Sequence, residues 1–202
     1  MKAGGSAARS GLDGLLSGYL KKKRLEQVLP FIAPGARVLD VGCDDGALLE
    51  RLPACRSYVG LDSSAARIEL DRRQFRRDHV EFIHSDLAGF SWSGPLFDVV
   101  VLAAVLEHLD GLAPALSRLH PWVAAGGRLV ATTPAPLSHN ILRAGAALRL
   151  FARDSLDEHK NYFRRSDFIG LPGWELETFR RFELGLNQLL VLRKLPGQGT
   201  GP

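Results

Sequence analysis

The chain has 202 residues, 46% hydrophobic and 24% charged, which suits one folded domain with a sizeable core and leaves no room for a second catalytic domain. Its two cysteines, Cys43 and Cys55, stand in no paired ligand spacing, which argues against a zinc site and a disulfide framework. A net charge of +4 and a pI near 9.3 would suit a polyanionic partner. However, the clusters Lys21 to Arg24 and Arg72-Arg73 with Arg76-Arg77 fall in helix-patterned stretches without interleaved aromatics, so they read as solvated helix faces.

Met1 to Ser10 is small and polar, without the apolar core of a secretory signal. The longest apolar run, Val99 to Leu106, is far shorter than the roughly 20 residues that cross a bilayer. Both point to a cytoplasmic protein. Leu12, Leu15, Leu16, Tyr19 and Leu20, then Leu25, Val28, Leu29 and Ile32, repeat a helical spacing and predict two amphipathic helices, a cap over residues 1–34. From Arg37 the pattern changes to short apolar runs that alternate with helical stretches, the sign of parallel βαβ units.

Strands are predicted at 37–41, 57–61, 80–84, 97–103 and 127–133, with helices starting near 46, 64 and 111. The helix near 111 carries Leu112, Ala115, Leu116, Leu119 and Val123 in one stripe; Asp110 can cap it, Pro121 should kink or tighten its last turn, and Gly126-Gly127 should end it. Residues 134–172 break the alternation. Trp174 to Phe182 and Gly185 to Arg193 are two extended runs with too short a link for a crossover, so they should be antiparallel. The Gly- and Pro-rich end from Pro196 to Pro202 reads as a disordered tail.

The chemistry concentrates at the strand ends. Val38 to Val41 runs into Gly42-Cys43-Asp44-Asp45-Gly46, where glycine allows a ligand close to the backbone; the Gly-x-x-x-Gly spacing is not the G-x-G-x-x-G of dinucleotide sites. Gly60-Leu61-Asp62 places an acid at the next strand end, where a carboxylate can accept both hydroxyls of a ribose. His84-Ser85-Asp86-Leu87 repeats the arrangement, with an acid able to take the exocyclic amine of adenine. Each acid alone could be a helix cap or turn residue, but three at consecutive strand ends form a pattern.

Asp40 to Gly46, Gly60 to Asp62, Ser85 to Leu87, Phe97 to Val100, Leu106 to Leu109 and Gly126 to Leu129 together resemble the ordered motifs of class I S-adenosylmethionine (SAM) dependent methyltransferases. The subset resembled includes the enzymes of ubiquinone and menaquinone biosynthesis. The resemblance implies an α/β fold: a doubly wound, Rossmann-like, seven-stranded, mostly parallel sheet with an antiparallel last strand and helices on both faces, spanning residues 35–195.

It further implies SAM as cofactor. Asp40 would reach the methionine amino group, and Gly42, Cys43 and Gly46 would pass beneath the methionine portion. Asp62 and Ser63 would hold the ribose, Ser85, Asp86 and Leu87 the adenine, and Ala103 and Ala104 would face the sulfonium. Cys43 is expected to be a small filler, since no neighbouring base would activate it. Asp44 departs from the family, which usually has glycine there; its side chain is expected to turn away from the cofactor or replace a water.

The implied activity is methyl transfer to an oxygen or nitrogen of a small-molecule or lipid-linked acceptor. His108, His159 and Tyr162 are candidates for a general base, and residues 134–172 with the N-terminal helices are the expected substrate cover. No Asn-Pro-Pro-Tyr or Pro-Cys motif points to nucleobase chemistry. An RNA methyltransferase docking through the basic helices, and a non-catalytic SAM-binding module suggested by Asp44, are the alternatives.

Overall fold

A computed structural model describes residues 11–136 and 161–197. Its centre is a seven-stranded sheet: β1 (Arg37–Val41), β2 (Ser57–Asp62), β3 (Val80–His84), β4 (Phe97–Ala103), β5 (Val123–Pro134), β6 (Trp174–Phe182) and β7 (Asn187–Lys194). The spatial order is β3-β2-β1-β4-β5-β7-β6. The first five strands are parallel, and β7 inserts antiparallel between β5 and β6. β1 and β4 are nearly continuous apolar runs because both sheet faces are covered.

Side chains of alternate parity feed two cores. On one face Leu39, Val100, Leu102, Leu129 and Leu190 pack with α3 (Leu112–Leu119); on the other Val38, Val99, Val101, Val130 and Val191 pack with α1 (Gly11–Val28) and α2 (Ala65–Gln74). Helices thus lie on both faces of the expected doubly wound sheet.

Three expectations are corrected. The two predicted N-terminal helices are one, α1, because Lys21 to Arg24 between the apolar stripes are good helix formers; a short 3-10 turn over Leu29–Phe31 with Pro30 ends it. No α-helix starts near 46. Gly46 is left-handed (φ 68), and Pro53 holds Leu52 extended (ψ 142), which leaves space only for a 3-10 turn at Leu49–Arg51. The helix predicted near 111 stops at Leu119, tightens to a 3-10 turn at His120–Trp122 around Pro121, and β5 begins at Val123 rather than 127. Its N-cap is Gly111 rather than Asp110, with no side-chain cap bond. Gly126 (φ 71) and Gly127 therefore lie inside β5, where the register with β4 shifts between Phe97 and Val99.

The β6–β7 link matches the expected hairpin. Glu183, Leu184 and Gly185 all take positive φ, which turns the chain back within three residues. The basic clusters are not simply solvated. Arg72 donates twice to the Phe82 carbonyl (2.9 and 2.7 Å), and Lys21 and Arg24 turn toward the carboxyl ends of the strands.

Candidate functional site

β1 has β2 on one side and β4 on the other, so the crossovers leaving their carboxyl ends diverge. A cleft of about 610 Å³ opens there. Open α/β sheets bind ligands at such a switch point, and the volume falls within the roughly 300–1,000 Å³ of small-molecule sites.

Asp40, one residue before the end of β1, lines the cleft while only 3% exposed. Burial pushes its carboxyl up to about 7, against the 2.7 Å hydrogen bond donated by the Tyr58 hydroxyl. A cation placed beside it would restore the charged form. Gly42 follows with φ 72, and a Cβ there would stand 2.5 Å from Val105 Cγ2 across the cleft. Only glycine satisfies both the left-handed backbone and that approach. Cys43 is buried, and burial together with the negative charge of Asp40 pushes its thiol up, so it acts as packing, with Sγ close against Gly60.

Asp62 ends β2 and lines the same cleft. Its two carboxylate oxygens accept the backbone N–H groups of Ser64 (2.8 Å) and Asp44 (3.1 Å), tying the β1 and β2 turns together. Each oxygen keeps a second lone pair for a hydroxyl.

Asp44 is the position expected either to turn from the cofactor or to replace a water. Held at φ 53, it lines the cleft and pairs with Lys21 of α1 (2.7 Å) and with Arg67 of α2. Lys21 also pairs with Asp45, so α1 is clasped to the first turn. The side chain where the family has glycine is thus drawn to two cations.

Ala103 and Ala104 form the opposite wall at the end of β4, with Ala104 left-handed (φ 61) and its N–H on the Thr132 carbonyl at 2.9 Å. The next 3-10 turn, Leu106–His108, sets Glu107 and His108 into the cleft lining. Glu107 is 1% exposed, and burial pushes its carboxyl up. The phenol of Tyr162 is raised by burial and then by the charge of Glu107, which places it in that neighbourhood. His159, the third base candidate, lies outside the described residues, as does most of the expected cover over 134–172.

The remaining expected positions flank the cleft without lining it. Gly46 backs onto Phe75, 2.5 Å from where its Cβ would be. The carbonyl of Ser63 faces a ring nitrogen of His84 at 3.1 Å. The Ser85 hydroxyl donates to the Asp86 carbonyl (2.9 Å), the Asp86 carboxylate accepts the Gly89 N–H (2.6 Å), and Leu87 is buried in the core. These residues sit one strand further out, where Ser85 N–H bonds the Asp62 carbonyl at 3.1 Å.

Four charged cleft residues escaped the sequence reading as site positions: Lys21, Arg24, Arg67 and Glu107. Burial lowers the Arg24 guanidinium, opposed by the charges of Glu107 and Glu183. A signal was present, since Lys21, Arg24, Leu25 and Val28 follow the i, i+3, i+4, i+7 spacing of one helix face, and the last two are core. Among the described residues no group of His, Cys, Asp and Glu is placed to hold a metal ion, and no helix is long and apolar enough to cross a membrane.

Residues 15–171 match a family model described as a methyltransferase domain. An uncharacterized methyltransferase of Mycobacterium tuberculosis is 36% identical over 97 residues, covering 48% of this chain and 49% of the relative. The mitochondrial ubiquinone biosynthesis O-methyltransferase of Schizosaccharomyces pombe is 34% identical over 105 residues, covering 49% and 38%. The chain spans about half the length of the curated relatives it matches. Among solved structures, the N-methyltransferase NodS from Bradyrhizobium japonicum superposes with a TM-score of 0.62 at 19% identity over 88% of this chain and 98% of that one. A SAM-dependent methyltransferase from Mesorhizobium loti superposes with 0.68 at 18%, over 89% and 100%.

Proposed function

Because this chain belongs to the class I SAM-dependent methyltransferase family, we propose that it binds SAM in the β1–β4 cleft and methylates an oxygen or nitrogen of a small-molecule acceptor. The observation that carries the reading is the pair Asp40 and Asp62, at adjacent strand ends and lining one cleft at the switch point of the sheet. When bound, SAM supplies an activated methyl group with its own leaving group. The chain's task is then alignment and exclusion of water, and orientation alone can contribute about 7–11 kcal/mol.

The residues present fit such a cofactor. Asp40, held near neutrality by burial, gains from a cationic amine beside it, and Arg24 offers a guanidinium to the carboxylate at the same end of the molecule. Asp62 presents free lone pairs to a ribose. Gly42 keeps the turn clear, and the small Ala103 and Ala104 leave space for the reacting centre. Ser63, Ser85, Asp86 and Leu87 form the adjoining rim on the side of β3, toward which the adenine end would run.

His108 and Tyr162 are the described candidates for accepting a proton from the acceptor. The relatives named for ubiquinone biosynthesis and for NodS support a small-molecule acceptor over a nucleic acid. Titration calorimetry with S-adenosylhomocysteine tests the cofactor half of this reading, where micromolar binding is expected and none at millimolar concentration would refute it. A methyl-transfer screen over phenols and amines tests the other half.

A further inference from the structure

Arg24 lines the cleft, yet its side chain is held from a strand remote in the chain. Its neighbours on α1, Leu25 and Val28, are 4% and 0% exposed, so the core fixes the backbone of this turn and leaves only the long side chain to be placed. The guanidinium is mostly out of water, with the carboxylates of Glu107 and Glu183 near enough to favour its charged form. Among the described residues its one hydrogen bond runs from Nε to Oδ1 of Asn187, at 3.4 Å.

Asn187 is itself held. It is the first residue of β7, 6% exposed, and its Nδ2 donates to Oε2 of Glu183, four residues back, at 2.5 Å. Glu183 and Leu184 turn the hairpin at φ 50 and 56, values that residues other than glycine rarely take. The Leu186 N–H closes this turn on the Glu183 carbonyl (3.0 Å), and the Ala135 N–H ties the Leu186 carbonyl to the end of β5 (2.8 Å). Strained backbone of this kind persists only where its surroundings impose it, and it gathers at functional sites. Glu183, Asn187 and Arg24 thus form one chain of contacts from the hairpin into the cleft.

A guanidinium carries its donors in a rigid planar fork, so a bond at Nε fixes the direction of the two Nη nitrogens. Those two can meet both oxygens of one carboxylate. We propose that Asn187 and Glu183 are positioning residues, which set the Arg24 guanidinium for the carboxylate at the methionine end of the cofactor and make the β6–β7 hairpin part of the cofactor site. An arginine placed beforehand loses less rotamer freedom when the ligand arrives. This inference rests on the methyltransferase reading above. It adds two residues, more than 150 positions along the chain from Arg24, to a site otherwise built from α1, β1, β2 and β4.

The test separates the amino-acid end of the cofactor from its nucleoside. Arg24→Gln, Asn187→Leu, Glu183→Gln and the double variant Arg24→Gln with Asn187→Leu are made in the full chain. Each is titrated by calorimetry with S-adenosylhomocysteine and with methylthioadenosine, the same nucleoside thioether without the amino-acid end. Affinity for S-adenosylhomocysteine should fall about thirtyfold in Arg24→Gln, about tenfold in Asn187→Leu and about fivefold in Glu183→Gln, while affinity for methylthioadenosine stays within about twofold. In the double variant the loss should exceed that of Arg24→Gln by less than about twofold, because Asn187 acts only through Arg24. Glu183→Gln keeps the size of the side chain and an acceptor for Asn187, so it carries the test if Asn187→Leu does not fold.

Equal losses for the two ligands would mean general damage to the cleft and would overturn the positioning role. So would unchanged S-adenosylhomocysteine affinity in Asn187→Leu and Glu183→Gln, or full additivity in the double variant. A parent that binds S-adenosylhomocysteine but loses nothing in Arg24→Gln would overturn this inference alone. A parent that does not bind S-adenosylhomocysteine would instead overturn the methyltransferase reading, and this inference with it.

Discussion

The two halves of the cleft are built in opposite ways. On the β1–β2 side the three carboxylates of the cleft have partners: Asp62 accepts two backbone N–H groups, Asp40 accepts from Tyr58, and Asp44 is paired with Lys21 and Arg67. On the β5–β7 side Glu107, Thr133 and Gln188 are buried, the Thr133 side chain is bonded to the Glu107 carboxyl, and Gln188 Oε1 has no hydrogen-bond partner among the described residues. A satisfied turn is preorganised for one fixed ligand, as a common cofactor demands, while buried unpaired groups cost stability unless a ligand completes them. The first half is the one proposed to hold the cofactor.

The largest expected effect tests how tightly the first half is tuned. Asp40 has its pKa raised from 3.8 to about 7 by burial, so the folded state favours its protonated form. Its contribution to stability is complete below about pH 4 and is lost as pH rises through 7, an upper bound of about 4 kcal/mol at 1.36 kcal/mol per unit. Asp40→Asn removes that loss. In thermal melts the variant should match the parent at pH 4 and exceed it increasingly up to pH 8; a constant gap would show that Asp40 is not the titrating group. A cationic ligand should also bind the parent more tightly at pH 8 than at pH 6, and the variant should flatten that slope.

Next is Gly42→Ala, which meets both the left-handed penalty of roughly 1–2 kcal/mol and the contact at Val105. Calorimetry should show a loss in S-adenosylhomocysteine affinity of about a hundredfold, near 2.7 kcal/mol. Val105→Ala in the same chain should restore part of it by clearing the contact. Failure of that rescue would place the effect in the backbone alone.

Asp62→Ala should weaken product binding tenfold to a hundredfold, since charged hydrogen bonds contribute about 1.5–3 kcal/mol each. It should also lower stability by roughly 1 kcal/mol, because the Ser64 and Asp44 N–H groups lose their acceptor. A stability loss with unchanged affinity would confine Asp62 to the turn. The smallest effect is expected for Asp44→Gly. Glycine suits φ 53 and frees Lys21 and Arg67 from their shared partner, and the two changes should leave product affinity within about tenfold, or 1.4 kcal/mol.

How much was legible in the sequence follows the same division. Asp40, Gly42 and Asp62 could be picked out because each sits at the end of an apolar strand run, where position along the chain and position in the site coincide. Glu107 was passed over for its neighbour His108, since a glutamate in a surface-patterned turn looks solvated until the 161–163 segment is seen to cover it. The ion pairs of Asp44 were not legible either, because nothing local reveals that Lys21 and Arg67, from two different helices, meet at its carboxylate.

By itself the sequence determined the strand runs, the acids at their ends, the hairpin at the end of the sheet and the family, because short-range periodicity and glycine placement act through the local backbone. Tertiary structure decided the rest. It merged two predicted helices into one, converted the helix after Gly46 into a 3-10 turn ahead of Pro53 and drew α1 over the cleft through Lys21 and Arg24. It also set Thr133 against Gln188 across strands 55 residues apart, which follows from their numbering. These outcomes depend on which surfaces meet, and burial gives a glutamate or an arginine a character that its neighbours in the chain do not specify.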